Sequence, residues 1–315
     1  MSNFTHVAVG ILSNADGEVL IARRPNHVHQ GGLWEFPGGK RESDELIQAA
    51  LVRELREELG IQVLAARPLI KVRHSYTDKQ VLLDVWRVND YRGQPCGLQS
   101  QPLAWVAPAE LPRYSFPAAD FSILTALRLP DCYLITGELA DCPALFLDRL
   151  QAALERGVKL VQLRAKLLPE DSLLDLYQQA QTLANAFDVP ILLNGSPEQA
   201  QAVDADGVHL SADRLLKLDQ RPLPTNRWVA ASCHNALEVL HADQIGVDFI
   251  VISPVLSTLS HPQALPLGWE GLRALTELAN LPVYALGGMT LADLEHAWWH
   301  GTQGIAAIRA LWEAA

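Results

Sequence analysis

Residues 39–61 read GKRESDELIQAALVRELREELGI, and their spacing predicts the main helix of the first part of the chain. Its apolar residues recur every four positions, which is the spacing of a buried stripe on a helix. The stripe consists of Ile47, Leu51, Leu55 and Leu59. The pattern predicts a helix from Leu46 to Leu59, with Ser43 or Asp44 as its N-cap and Gly60 just past its C-terminal end.

Three glutamates lie on one flank of this predicted helix. Glu54, Glu57 and Glu58 stand at i, i+3 and i+4, within an arc of about 100°. Like charges at this spacing repel, and the negative end of the helix dipole adds to the repulsion. A solvated acidic face is the simpler interpretation. The preceding Pro37-Gly38-Gly39 favours a metal site, because glycines let backbone groups approach a cation or a phosphate closely, and carboxylate oxygens are the ligands that Mg²⁺ prefers.

The stretch matches the signature G-x5-E-x7-REUxEExGU, in which U is aliphatic, at every fixed position, and so resembles the Nudix hydrolases. The resemblance implies an α+β Nudix fold, a mixed sheet with helices on both sides, in a domain over residues 1–130. It also implies hydrolysis of nucleoside diphosphates linked to another group, with Mg²⁺ or Mn²⁺ as cofactor. Carried over by position, Glu54, Glu57, Glu58 and the Gly38 carbonyl bind metal. Glu54 orients or deprotonates the attacking water, and Arg53 supports the carboxylates.

Flanking segments narrow the resemblance to the MutT-type 8-oxo-dGTP diphosphatases. These segments include Glu35-Phe36-Pro37-Gly38-Gly39-Lys40 and Phe116-Pro117-Ala118-Ala119. The resemblance implies that 8-oxo-dGTP is hydrolysed to 8-oxo-dGMP and pyrophosphate, a step that removes damaged nucleotides before DNA replication. The substrate-binding residues that it implies are Arg24, His29, Glu35, Phe36, Pro37, Gly38, Tyr76 and Asp120. Among them Phe36 and Tyr76 are expected to flank the base.

Two positions depart from the MutT pattern. Asp120 stands where the family has the asparagine that reads the oxidised purine. An ionised aspartate only accepts hydrogen bonds, so Asp120 donates one only if burial keeps it protonated; otherwise the preferred base differs. Gln99 replaces an additional loop glutamate, which removes one anionic metal ligand or base.

The pattern of apolar and polar residues changes after Leu129-Pro130-Asp131. Eight short apolar runs now alternate with segments able to form helices. The runs are Tyr133–Thr136, Lys159–Arg164, Pro190–Asn194, Gly207–Leu210, Trp228–Cys233, Phe249–Pro254, Val283–Leu286 and Ile305–Ile308. Apolar strands that alternate with helices indicate a parallel sheet, and eight such units predict a compact (βα)8 TIM barrel over residues 131–315.

Polar residues cluster where these strands are predicted to end, which is the active-site end of a TIM barrel. They are Thr136, Arg164, Lys166, Asn194, His209, Ser232, His234, Ser253, Gly287, Gly288 and Arg309. Gly287-Gly288, followed by Thr290 at a helix start, is typical of a phosphate nest. The sequence therefore predicts a site for a phosphorylated small ligand at this end of the barrel.

Segments such as Val161-Gln162-Leu163-Arg164-Ala165-Lys166 and Leu286-Gly287-Gly288-Met289-Thr290 resemble the thiamine phosphate synthase and TenI (thiazole tautomerase) family. On this resemblance Arg164, Lys166 and Asn194 hold the phosphorylated substrate, and His234 matches a region in which a histidine does acid–base work.

The metal-binding part of that family's pattern is not matched. Gly195 replaces an aspartate, and His261 falls at a lysine position. Arg309 replaces a small phosphate-binding residue. The lost carboxylate argues against Mg²⁺-dependent displacement of pyrophosphate and favours a degenerate ligand-binding barrel.

Composition limits the partners and the compartment. The 315 residues carry a formal net charge of −11, and an acidic surface repels the phosphate backbone, so we expect no direct duplex nucleic-acid partner. The four cysteines form no CxxC pair, as is typical of reduced thiols. No signal-peptide pattern or apolar run of membrane-spanning length is present, and we expect a cytoplasmic enzyme acting on a small-molecule nucleotide.

Two further hypotheses remain open at this point. The fusion of the two halves favours an enzyme of thiamine metabolism, in which the first domain hydrolyses a thiamine-type pyrophosphate and the barrel acts as a synthase or tautomerase. The missing carboxylate favours a non-catalytic barrel that serves as a sensor or scaffold. The oligomeric state is not predicted.

Overall fold

The computed structural model describes residues 4–28, 30–77, 79–138, 142–258, 263 and 265–313. The chain divides into two compact units, Met1–Arg128 and Leu129–Ala315. Each unit is described separately. No helix in the described ranges is long and apolar enough to cross a membrane.

The first unit has a mixed α+β fold, which confirms the predicted fold class. Its elements are β1 (Thr5–Leu12), β2 (Val19–Arg23), β3 (Trp34–Glu35), β4 (Gly38–Lys40), α1 (Ile47–Leu59), β5 (Gln62–Ser75), β6 (Gln80–Arg92), β7 (Leu103–Val106) and α2 (Phe121–Arg128). The strands are divided between two sheets, ordered β4-β1-β6-β5 and β3-β2-β7. The first sheet is mixed because β1 runs parallel to β6 and antiparallel to β4.

Helix α1 packs tightly on strand β1. Leu51, Leu55 and Leu59 are at most 1% exposed, as the predicted stripe requires. A Cβ added to Gly10 of β1 would lie 2.7 Å from Leu55 Cδ1, so a glycine is needed where the helix crosses the strand. Gly60 ends the helix in the left-handed conformation, with φ of 70°, and its N–H donates to the Arg56 carbonyl.

The predicted N-cap of α1 is wrong. The helix begins at Ile47 with Leu46 as N-cap, and no side chain caps it. Ser43 and Asp44 are exposed and lie in the preceding turn. The reason is a tertiary contact: the Glu45 carboxylate accepts hydrogen bonds from the Glu42 N–H at 3.2 Å and from Arg53, which fixes the chain before the helix starts.

The second unit is a closed barrel of eight parallel strands, which confirms the predicted TIM-barrel class. Around the barrel the order is β10-β11-β12-β13-β14-β15-β8-β9. The strands are β8 (Cys132–Ile135), β9 (Val161–Leu163), β10 (Ile191–Asn194), β11 (Gly207–Leu210), β12 (Trp228–Cys233), β13 (Phe249–Ile252), β14 (Val283–Ala285) and β15 (Gly304–Ala307). Because the strands are short, most of the polar residues predicted at their ends lie in or beside the loops that follow them. His209 and Ser232 instead lie within β11 and β12, and Arg309 begins α10.

Helices follow the strands and cover the outside of the barrel. They are α3 (Pro143–Glu155), α4 (Glu170–Asn185), α5 (Pro197–Ala202), α6 (Ala212–Leu215), α7 (Ala236–Ile245), α8 (Gly268–Thr276), α9 (Leu294–Trp299) and α10 (Arg309–Trp312). Inside the barrel, the rings of Tyr133, Phe249 and Tyr284 meet at centroid distances of 5.3 to 5.6 Å. These rings fill the centre, so the barrel is packed rather than hollow.

Candidate functional site

Two carboxylates of α1, one helical turn apart, meet strand β4. Glu58 Oε2 accepts a hydrogen bond from the Gly38 N–H at 2.9 Å. The Glu54 carboxylate lies directly against Gly39, because a Cβ added there would be 2.1 Å from Glu54 Cδ. The i, i+4 spacing read from the sequence therefore brings Glu54 and Glu58 onto one surface.

Gly38 holds a backbone conformation that other residues rarely adopt. Its φ is +152°, and a Cβ there would lie 2.1 Å from the Ala8 carbonyl oxygen. The neighbouring Pro37 is buried, and its carbonyl accepts a hydrogen bond from the Gly10 N–H at 2.8 Å. These contacts fix β4 tightly against β1, and the Gly38 N–H meets Glu58 in that position.

Arg53 joins the acidic residues of this region. Its guanidinium donates to Glu54 Oε1 at 2.8 Å, to the two Glu45 carboxylate oxygens at 3.0 Å each, and to the Lys40 carbonyl at 3.0 Å. Glu57 Oε2 lies 3.5 Å from the same guanidinium. Arg53 thus offsets part of the repulsion among the glutamates and holds the Glu54 carboxylate in place.

Burial raises the pKa of two acids at the site. Burial, assisted by the carboxylates of Glu35 and Glu54, raises the pKa of Glu58 to about 7. Burial also raises the pKa of Glu35, although Arg24 pairs with it and opposes the shift. A site of this kind favours a cation or a proton between its acids.

The oxygen ligands available at this site are of the type that binds a hard divalent cation. The carboxylates of Glu54 and Glu58 and the Gly38 carbonyl supply the oxygen ligands that Mg²⁺ prefers. Glu57 is turned toward Arg53, with its side chain 57% exposed. Among the residues that the structure describes, no three histidine, cysteine or acidic side chains are gathered closely enough to hold a metal. Binding therefore requires side-chain rotation, above all of Glu57.

The residues predicted to surround a base lie in different environments. Phe36 is 4% exposed and stacks on Phe116 at a centroid distance of 5.4 Å. Phe36 is therefore part of the core, and its ring is not accessible to a bound base, contrary to the expectation. Tyr76 is half-buried and meets His74 edge-on at 4.4 Å. His29 lies outside the described residues.

Asp120 is a buried carboxyl beside these groups. It is 6% exposed. Burial raises its pKa to about 7, and the Glu35 charge adds to the shift. Asp120 in turn contributes to the raised pKa of Tyr76, after burial of that side chain. At neutral pH, Asp120 is thus able to carry the proton that a hydrogen-bond donor needs. Gln99 is exposed, on the loop before β7.

The second unit has a cavity of about 570 Å³ at the carboxyl ends of its strands. Five of the six predicted barrel-site residues line it, and these are Arg164, Lys166, Asn194, His234 and Gly287. The sixth, Gly288, lines an adjacent cavity of about 530 Å³ together with Arg309. Apolar side chains such as Ile135 and Leu286 complete the first cavity.

The first cavity is cationic. Within the described part of the chain, its lining includes Arg164, Lys166 and His234 but no aspartate or glutamate. The Arg164 charge lowers the pKa of Lys166, so the two cations are close together. Glu138 lies 3.3 Å from the Arg164 guanidinium and neutralises part of this charge. The arrangement favours an anionic ligand.

Gly195 stands where the family pattern has an aspartate, and the space of that side chain is occupied by Gln199. A Cβ there would lie 2.7 Å from Gln199 Oε1. That oxygen accepts the Ser196 N–H at 2.8 Å and completes the cap of α5. The side chain of Gln199 thus occupies the space beside Gly195. His261 lies outside the described residues.

His234 has a defined orientation at the cavity. Its Nδ1 lies 2.7 Å from the Ser253 carbonyl oxygen. A carbonyl only accepts hydrogen bonds, so Nδ1 carries the proton and Nε2 is the basic nitrogen. The sequence singled out His234 but not Gln162, which also lines the cavity. A polar residue within the apolar run of β9 is the signal that identifies it.

Comparisons with known proteins support the fold assignments of both units. Residues 132–311 match the sequence profile described as thiamine monophosphate synthase, and residues 8–126 match that described as NUDIX domain. A putative thiamine-phosphate synthase 2 of Aquifex aeolicus is 36% identical over 182 residues, which is 58% of this chain and 97% of the relative. The CTP pyrophosphohydrolase of Escherichia coli is 39% identical over 118 residues, which is 38% of this chain and 87% of the relative.

A solved structure supports the barrel assignment. The thiamine phosphate pyrophosphorylase from Pyrococcus furiosus is 27% identical and aligns with a TM-score of 0.50, covering 59% of this chain and 89% of that protein. The chain therefore belongs to the thiamine monophosphate synthase family through residues 132–311 and carries a Nudix hydrolase domain at residues 8–126.

Proposed function

We propose that the Nudix domain hydrolyses a nucleoside triphosphate to the monophosphate and pyrophosphate, with 8-oxo-dGTP as its preferred substrate. The proposal rests on two contacts of strand β4: Glu58 accepts a hydrogen bond from the Gly38 N–H, and the Glu54 carboxylate lies against Gly39. Two half-buried acids held against a glycine strand favour a cation between them, and a polyphosphate is the ligand with which Mg²⁺ commonly shares its coordination shell.

Each residue of the site has a proposed role. Glu54, Glu57, Glu58 and the Gly38 carbonyl would hold Mg²⁺ or Mn²⁺, which when bound supplies positive charge that stabilises the phosphate oxygens of the transition state. Glu54 orients the attacking water and accepts its proton. Arg53 acts through Glu54 as a positioning residue, since it fixes that carboxylate at 2.8 Å. Arg24 binds the polyphosphate.

The proposed base recognition depends on Asp120. A protonated carboxyl offers one donor and one acceptor, as an asparagine amide does, and burial supports that state because it raises the pKa of Asp120 to about 7. Glu35, Pro37 and Tyr76 complete the proposed substrate-binding set, and Phe36 supports it only by packing on Phe116 in the core.

CTP is the second candidate substrate, because the Escherichia coli relative is a CTP pyrophosphohydrolase. A thiamine-type pyrophosphate is the third, because the chain joins the Nudix domain to a thiamine monophosphate synthase-like barrel. For the barrel we propose binding of a thiamine-type phosphate at Arg164, Lys166, Asn194, His234, Gly287 and Gly288, without metal-dependent displacement of pyrophosphate.

A substrate panel tests the proposal. The full chain with Mg²⁺ is incubated separately with 8-oxo-dGTP, dGTP, CTP and thiamine pyrophosphate, and products are separated by ion-exchange chromatography. We expect the highest kcat/KM for 8-oxo-dGTP, with its monophosphate and pyrophosphate as products. A higher value for CTP or for thiamine pyrophosphate would overturn the substrate assignment, and loss of all hydrolysis in EDTA would support the metal assignment.

A further inference from the structure

Two histidines of the second unit lie one helical turn apart. His296 belongs to α9, and His300 is the residue at which this helix ends. Their rings are stacked, with centroids 4.4 Å apart and planes 16° from parallel. Neither histidine is among the described residues that line the two barrel cavities. The pair is therefore a separate feature from the ligand site at the strand ends.

One nitrogen of the His300 ring is oriented for a ligand. Its Nδ1 lies 2.8 Å from the His296 carbonyl oxygen. A carbonyl only accepts hydrogen bonds, so Nδ1 carries the proton and Nε2 carries the lone pair. Histidines that bind metals commonly donate their other N–H to such a carbonyl, which fixes the ring. His296 is exposed, so its ring is accessible to an ion from solvent.

Trp269 of α8 lies against both imidazole rings. Its ring centroid is 4.3 Å from that of His296 and 5.1 Å from that of His300. The indole is half-buried and packs on the barrel core, so its position is fixed by the core. This contact restricts the orientations of the two imidazoles, and a ligand that binds a restricted pair loses less conformational entropy.

We propose that His296 and His300 together bind one divalent ion of the class Cu²⁺, Ni²⁺ or Zn²⁺. Imidazole nitrogen is a ligand that suits these ions, whereas Mg²⁺ prefers oxygen. A ligating nitrogen lies about 2.0–2.1 Å from such an ion, so two of them are at most about 4 Å apart. Rings with centroids 4.4 Å apart meet this limit after a small rotation of the side chains.

The pair supplies two ligands, and the remaining ones come from outside the chain. Within the described ranges, no third histidine, cysteine or acid joins the two rings, so water or a donor atom of another molecule completes the coordination. Cu²⁺ binds most tightly of the three ions, because affinities in this series are highest for Cu²⁺. Both histidines are needed, since the second nitrogen binds at the high effective concentration that the helix sets.

Trp269 provides an optical signal for the test, because bound Cu²⁺ quenches the fluorescence of a neighbouring indole. The full chain is titrated with Cu²⁺, and separately with Mg²⁺, while tryptophan fluorescence is recorded. We expect a saturable quench with Cu²⁺ that Mg²⁺ does not produce and that is lost in Trp269→Phe. In His296→Ala and in His300→Ala, the Cu²⁺ concentration at half-quench should rise about 100-fold, the effect of losing one of two linked contacts.

The matched control moves one histidine without changing the number of histidines. Glu295→His combined with His296→Ala places the imidazole about 140° around the helix from His300 and should titrate like His296→Ala. His27→Ala, at an exposed histidine of the first unit, should titrate like the native chain. Circular dichroism checks that each variant is folded. A native titration in folded His300→Ala, in Trp269→Phe or in the variant with the moved histidine would overturn the proposal.

Discussion

The carboxylate of Glu54 lies against the backbone of Gly39, so closely that a Cβ at residue 39 would be 2.1 Å from Glu54 Cδ. One residue earlier, the Gly38 N–H donates to Glu58. The strand β4 therefore has two functions: it contributes a strand to the first sheet, and it sets the position of two acids of α1.

Gly39→Ala is expected to reduce kcat for nucleotide hydrolysis about 10- to 100-fold, because the new methyl group displaces the Glu54 carboxylate, and small displacements of catalytic groups have effects of this size. Stability changes little, since the displaced atoms are the end of a flexible side chain. The measurement is kcat in wild-type, Gly39→Ala, Glu54→Ala and double-variant proteins. An additional large loss from Gly39→Ala in the Glu54→Ala background would show that the glycine acts elsewhere.

Arg53→Lys is expected to lower kcat about 10- to 100-fold with little change in KM, the range found when the support of a ligating group is removed. A lysine ammonium cannot contact Glu45, Glu54 and the Lys40 carbonyl together, as the guanidinium does. The matched control is Arg56→Lys on the exposed side of the same helix, which should behave as wild type. Equal losses in both variants would point to a general effect on α1.

Asp120 gives the stability of the first unit a pH dependence. Its pKa is about 7 in the folded protein and 3.8 ordinarily, so between these pH values the folded state holds more protons than the unfolded chain. The free energy of unfolding therefore falls as pH rises from about 4 to about 7, by on the order of 4 kcal/mol at most. Urea unfolding at pH 5 and pH 8 should show this fall, and Asp120→Asn should reduce it, while the raised pKa values of Glu58 and Glu35 retain the rest.

The control for that experiment is Asp44→Asn, at an exposed carboxyl just before α1, which should keep the wild-type pH dependence. If Asp120→Asn shows the same fall in stability between pH 5 and pH 8 as the wild type, Asp120 is ionised in the folded protein and is not a donor to the base.

Binding of thiamine monophosphate to the barrel is expected to be unchanged by EDTA, because no carboxylate is present in the described lining of the cavity. Lys166→Ala should weaken binding about 10-fold, since it removes a charge-assisted hydrogen bond. Lys159→Ala, at an exposed lysine before β9, is the matched control. Calorimetry with and without EDTA measures both effects, and a strict requirement for Mg²⁺ would contradict the metal-free site.

Local patterns in the sequence predict much of this structure. The four-residue apolar spacing predicts α1, and the eight apolar runs predict the barrel, because helix faces and buried strands depend on neighbouring residues. The predicted N-cap is wrong because the chain before the helix is held by a contact that local spacing does not contain: Arg53 binds Glu45 from eight residues away, and the helix begins at Ile47. Strand β9 is shorter than its apolar run because the barrel pairs only Val161–Leu163.

The candidate sites are only partly predictable from the sequence, because they depend on contacts between residues that are distant in the chain. Glu54 and Glu58 are recognised by their spacing, but their contact with Gly38 and Gly39 depends on how α1 packs on the sheet. Phe36 is an aromatic next to the glycine strand, and only packing against Phe116 shows that it belongs to the core. The 2.9 Å contact between His209 of β11 and Ser232 of β12 depends on the pairing and register of these two strands, which no local pattern specifies.

The turnover of Glu54→Gln on 8-oxo-dGTP with Mg²⁺ tests whether the Glu54 carboxylate is needed for hydrolysis. The substitution keeps the size of the side chain but removes the charge that holds the cation and accepts the proton. We predict that kcat falls about 100-fold or more, while circular dichroism shows an unchanged fold. Near-normal turnover by the folded variant would contradict the role of the Glu54 carboxylate and, with it, the proposed mechanism.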